Sequence, residues 1–171
     1  TVFARVSSVN DGGFSFPSEV VGARISPDDS APVLVVSAFD RMDRGMLNWV
    51  QPGGSLGDIV RMDLNQMNAY NIAVPHGMAI AESGWFFESA SDEAAASMNL
   101  DAFDVVVWAT GEESTLDETV SAVQQAQLRS FWDGGGALWV SGAEVFWDLD
   151  FLGDADDQAF AAEVLGAGMA S

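Results

Sequence analysis

The chain has 171 residues, the size of one domain or of one domain with part of another. Six basic residues, all Arg, face 26 acidic ones for a formal net charge of −20, with no Lys, no Cys and a single histidine, His76. These counts exclude a cysteine nucleophile, a disulfide framework, an iron–sulfur cluster and a thiolate or multi-histidine zinc site, and the charge repels nucleic acid.

Residues 1–27 carry a strand signature. Val2, Ala4 and Val6 alternate with Phe3, Arg5 and Ser7, which is the period of a β-strand. Asn10-Asp11-Gly12-Gly13 is a turn, since Asn and Gly tolerate positive φ. A second extended stretch, Glu19–Ile25, ends at Pro27. A two-stranded hairpin is marginal in water, so these strands need partners. Residues 28–32, Asp-Asp-Ser-Ala-Pro, read as a polar linker.

Beyond the linker, buried strands alternate with helices. Val33–Ala38 is a continuous apolar run, expected of a strand covered on both faces. Pro52, Gly53, Gly54 and Gly57 forbid a long helix within the irregular stretch 41–65. The pattern predicts a helix over 66–83 with its regular part beginning near Pro75, a strand at Trp85–Glu88, a helix at Asp92–Met98 and a strand at Asp104–Ala109. A helix at Glu118–Trp132 is ended by Gly134–Gly136, a strand follows at Ala137–Val140, and a last helix spans Gln158–Leu165. Strand–helix alternation predicts a parallel sheet between helical layers, with four strands and four helices in residues 33–171. A flavodoxin-like sheet has five strands, so the chain reads as incomplete at both ends.

Ligands of such sheets collect beyond the carboxyl ends of the strands. Three loops are expected there, carrying Asp40, Arg41 and Arg44; Glu112, Glu113 and Ser114; and Ser141, Glu144 and Asp148. They describe either a polar, cation-binding cleft or a set of mutual neutralisations and helix caps. Ser141 ends an apolar strand just before Gly142, where a sharp turn would expose its hydroxyl as a nucleophile elbow does. A serine hydrolase would require His76 to reach Ser141. Asp148, Asp150, Asp154 and Asp156 have the oxygen density of a calcium site without the EF-hand spacing. Core packing rather than a sugar platform is the expected role for most of Trp132, Trp139 and Trp147.

Two resemblances follow from these motifs. FARVSSVNDGGFSFPSEVVGARI resembles the last two strands of a fibronectin type III domain. DVVVWATGEES and LRSFWDGGGALWVSGAE resemble the class I glutamine amidotransferase-like domains, which have flavodoxin-like topology and a Cys nucleophile at the position of Ser141. The order of the two resembles large secreted bacterial proteins, some labelled as N-acetylmuramoyl-L-alanine amidases or xanthan lyases. With no Cys and no second His, the resemblance implies a non-catalytic, extracellular or cell-surface binding and assembly module, cut from a larger precursor. Its expected partners are other copies of itself or the rest of that precursor, met through exposed strand edges. The competing expectation is a hydrolase of cell-wall or polysaccharide amide or ester bonds using Ser141 and His76. Hydrophobic residues make up 49% of the chain, so the acid coats a folded body. No run of 18 apolar residues supplies a membrane span, and the Thr1 start is expected of a processed product.

Overall fold

In chain order the strands are β1 (Val2–Ala4), β2 (Val9–Asn10), β3 (Gly13–Phe14), β4 (Val21–Arg24), β5 (Val33–Ser37), β6 (Trp49–Val50), β7 (Ile59–Val60), β8 (Phe87–Ser91), β9 (Val105–Gly111) and β10 (Ala137–Gly142). The helices are α1 (Ala73–Glu82), α2 (Asp92–Ala95), α3 (Ala122–Asp133) and α4 (Ala155–Glu163). A 3-10 turn covers Leu100–Ala102 and a π-helical stretch Trp147–Leu152. The structure, a computed structural model, describes residues 1–28, 30–40, 49–50, 59–60, 70–113 and 118–169. Most of the irregular stretch 41–65, with Arg41 and Arg44, lies outside the described residues, as does Ser114.

Six strands form one sheet in the order β1-β4-β8-β5-β9-β10. The four parallel strands, β8, β5, β9 and β10, follow the sequence order 2-1-3-4, consistent with a flavodoxin-like α/β fold. β5 lies at their centre, and all five of its residues are buried, which is why its sequence is apolar without alternation. β1 and β4 pair antiparallel, as the alternation predicts. Their partner is within the same chain: β4 pairs antiparallel with β8, matching Ala23 to Glu88 and Arg24 to Phe87. The N-terminal strands therefore extend the same sheet. The Asn10–Gly13 turn lies between the short strands β2 and β3, with the Gly12 N–H donating to Asn10 Oδ1 at 2.8 Å and Gly13 at φ 117°.

Helices cover the two faces unequally. Leu34, Val36, Ala90, Val106 and Trp108 form the larger core with Leu128 and Phe131 of α3 and Phe160 and Ala161 of α4. Val33, Val35, Phe87 and Val107 form the smaller one with Phe3 and with Ile80 and Ala81 of α1. α1 packs on β4, β8 and β5. Gly77 permits that approach, because a Cβ there would stand 2.3 Å from Cζ of Phe87. Arg24 closes the far end of α1. Its guanidinium donates to the carbonyls of Ala81 and Trp85 and lies 5.0 Å from the Phe86 ring centre.

Capping chemistry starts the helices on the other face. The Ser121 N–H donates to Gln124 Oε1 at 2.8 Å in a capping box that begins α3. Asp154 does the same for α4, accepting from the N–H groups of Asp156 and Asp157. Among the described residues no helix is long and apolar enough to cross a membrane.

Candidate functional site

The carboxyl ends of β8, β5 and β9 meet at one edge, and acids gather there. Asp40 follows β5, and its N–H donates to Glu113 Oε2 at 2.6 Å. Glu113 follows β9 and is 3% exposed, so two of the three expected loops are joined through a buried carboxylate. Tyr70 donates from its hydroxyl to the Asp40 carbonyl at 3.0 Å. Glu112 is exposed, and Glu144, after β10, is half-buried. Arg41, Arg44 and Ser114, the other members of the expected cleft, lie outside the described residues.

The loop after β8 adds two acids from the start of the helix that the pattern predicts at Asp92–Met98. Asp92 and Glu93 open α2, and Ser91 caps it by accepting from the Ala94 N–H at 3.2 Å. One carboxylate oxygen from each of Asp40, Asp92 and Glu93 lies within 4.8 Å of the other two. Asp92 is 7% exposed. Its Oδ2 accepts from Gln124 Nε2 at 2.7 Å, while its Oδ1 is buried with no hydrogen-bond donor. Burial, together with the charges of Asp40 and Glu93, pushes the Asp92 carboxyl up to about 6. The Ser91 hydroxyl and its own backbone N–H hold Glu93 below the ordinary value.

Glu19, just before β4, completes the acidic neighbourhood. Burial raises its carboxyl to about 7 against the opposing pull of the Ser37 hydroxyl, and Glu93, Asp92 and Asp40 add to the rise. Four carboxyl groups from three separate parts of the chain thus act on one another at this edge. Such an edge favours cations and disfavours anionic substrates.

Ser141 and His76 stand on separate elements. Ser141 is the fifth residue of β10, in register with Ala109, and is half-buried. Among the described residues the non-glycine positions with positive φ are Tyr70 and Glu118, so Ser141 does not sit on a strained elbow of that kind. His76 is in α1, and its Nδ1 lies 2.9 Å from the Ile72 carbonyl, one helical turn earlier. α1 covers β4, β8 and β5, whereas Ser141 stands two strands beyond β5, roughly 10 Å across the sheet at ordinary strand spacing.

Three of the four aspartates expected to hold calcium, Asp148, Asp150 and Asp154, accept hydrogen bonds from backbone N–H groups. Asp148 Oδ2 accepts from the N–H and hydroxyl of Thr119, both at 2.8 Å. Asp150 Oδ2 accepts from the Met169 N–H at 2.5 Å, and Asp154 caps α4. Asp156 lies in the first turn of α4, where a carboxylate suits the helix dipole. Among the described residues, the acids whose oxygens converge are Asp40, Asp92 and Glu93. Comparison of the chain with protein-family models, curated proteins and solved structures gives no match.

Proposed function

We propose that the chain is a non-catalytic binding and assembly module of a secreted or cell-surface protein, and that it pairs with a second copy of itself along the β10 edge. The observation that carries this reading is Trp139, 63% exposed in the middle of the terminal strand of the sheet. The Ala137 and Ala143 N–H groups bond toward β9, so the pleat aims the N–H groups of Leu138 and Val140 outward. Among the described residues no strand lies beyond β10. A groove of about 720 Å³ runs along this strand, lined by Leu138, Trp139, Val140, Val145, Phe146 and Leu165. Trp147 and Phe151, stacked 4.3 Å apart, are also 42% and 60% exposed.

A second copy is the occupant because each protomer brings the same unsatisfied edge, and two such edges close on each other about a two-fold axis. The charge of −20 on each copy opposes the pairing and salt screens it, with a Debye length of about 8 Å at physiological ionic strength. Association therefore strengthens as salt rises, opposite to an interface built on ion pairs. Sedimentation equilibrium from low to high salt tests this. The expected result is a monomer passing to a dimer, with Trp139→Lys remaining monomeric. A wild-type protein that stays monomeric at every salt and concentration overturns it. The secreted setting is supported by the resemblance of residues 1–27 and 33–171 to the two parts of secreted bacterial proteins.

A further inference from the structure

We propose that Asp40, Asp92 and Glu93 hold a calcium ion at the carboxyl edge of the parallel sheet. This inference is independent of pairing along β10. Two oxygens on opposite sides of calcium lie roughly 5 Å apart, so three oxygens within 4.8 Å of one another suit one such ion. Acids alone do not make a site on a chain as acidic as this. The second observation is Asp92 Oδ1, buried with no donor to satisfy it in a residue only 7% exposed. The carboxylates that converge with Asp92 are those of Asp40 and Glu93, and a carboxylate has no proton to give when ionised. A buried carboxylate oxygen in that position needs either a proton or a cation between it and its neighbour.

The surroundings hold Asp92 in this orientation. Gln124 Oε1 accepts from the Ser121 N–H in the α3 capping box, which turns the Gln124 amide so that Nε2 donates to Asp92 Oδ2. Oδ1 is thereby left for the cluster. Among the described residues, no cationic side chain forms an ion pair with Asp92 or Glu93; the ion pair there is Arg129–Glu163, on α3 and α4. Asp40 and Glu93 are exposed, which leaves room for water in the remaining coordination positions. Glu19 and Glu113 add negative charge from β4 and β9 without joining the converging set. Oxygen ligands alone, three of them carboxylates, suit a hard cation and not zinc or copper.

The test is calorimetric titration of calcium into the 171-residue chain after dialysis against chelator, in moderate salt. One saturable site is expected in the wild type, at least ~10-fold weaker in Asp92→Asn and in Glu93→Gln, since even indirect disturbance of a metal site costs that much. Asp154→Asn, which keeps its helix cap, binds as the wild type does. Magnesium, which demands a smaller and stricter shell, binds more weakly. If Asp92→Asn loses its fold by circular dichroism, the exposed Glu93→Gln decides the matter. Wild-type affinity in Glu93→Gln overturns the proposal. So does magnesium binding as tight as calcium, and so does uptake that never saturates, which is the signature of diffuse attraction to a polyanion.

Discussion

Replacing Gly77 by Ala tests how closely α1 lies on the sheet. The added Cβ would meet Cζ of Phe87 at 2.3 Å and Cε2 at 2.5 Å, against an ordinary carbon–carbon contact of roughly 3.5–4.0 Å. Phe87 is 0% exposed and packs with Val33, Val35 and Ile80, so its ring cannot swing away freely. Either the ring leaves its rotamer or the helix lifts. Overpacking of this kind costs about 1–3 kcal/mol, and the better helix propensity of Ala returns about 1 kcal/mol. With contacts of 2.3 and 2.5 Å to a ring that is fully buried, the cost falls in the upper half of that range, so the expected net loss is ~1–2 kcal/mol, a fall in Tm of roughly 2–8 °C for a domain of this size. Urea unfolding should show a lower midpoint at unchanged slope. In Phe87→Leu the room for the new methyl already exists, so the two substitutions together should cost less than their sum by about 0.5 kcal/mol or more. A Gly77→Ala protein as stable as the wild type or more so would refute the close contact. Additive costs in the pair would locate the damage elsewhere.

The raised carboxyls make the calcium-free protein sensitive to pH. Glu19 moves from 4.5 to about 7 on folding, so the stability its protonated form contributes is complete below about pH 4.5 and is lost as pH climbs through 7. In full that displacement is worth ~3 kcal/mol, and solvent screening of a carboxyl this exposed leaves about 1–2 kcal/mol. Asp92 acts in the same direction between its ordinary value and about 6. Unfolding in chelator should show higher stability at pH 5 than at pH 7.5, with the difference reduced in Glu19→Gln; equal stabilities would contradict the burial of Glu19. Asp154→Ala removes the cap of α4 and should cost ~1 kcal/mol equally in calcium and in chelator, so a cost confined to calcium would assign Asp154 to a metal instead. A fluorophosphonate probe should leave Ser141 unmodified, and labelling that disappears in Ser141→Ala would restore the hydrolase reading.

The strands with both faces covered were the most legible in sequence. Val33–Ser37 and Val105–Gly111 are apolar runs because helices or neighbouring strands surround them, and their bounds are met within two residues. β8 was displaced, expected at 85–88 and found at Phe87–Ser91, because Ser89 and Ser91 break the apolar run. Those serines have local work to do: Ser89 Oγ accepts from the Gly22 N–H at 2.6 Å, and Ser91 caps α2. Misplacing that strand removed its loop from the set expected at the carboxyl edge, and Asp92 and Glu93 with it. Only the chain-distant pairing of β8 with β5 brings those residues to Asp40, and no local periodicity encodes that adjacency. The turn at 10–13 and the end of α3 at Asp133 were legible for the opposite reason, since Asn and Gly act within a few positions of themselves, whereas the expected starts at Glu118 and Gln158 miss the capping boxes at Ser121 and Asp154 that begin α3 and α4.

The pairing of β4 with β8 also sets an order of events during synthesis. Ala23 must wait for Glu88, about 65 residues downstream, before its strand has a partner in the sheet. At 5–20 residues per second the ribosome takes roughly 3–13 s to supply it. Throughout that interval β1 and β4 can form at most a two-stranded ribbon, which is marginal in water, with Val2, Val21 and Ile25 exposed. β1 and β4 are thus made well before the strand that secures them, and that interval is when they are most open to wrong pairing.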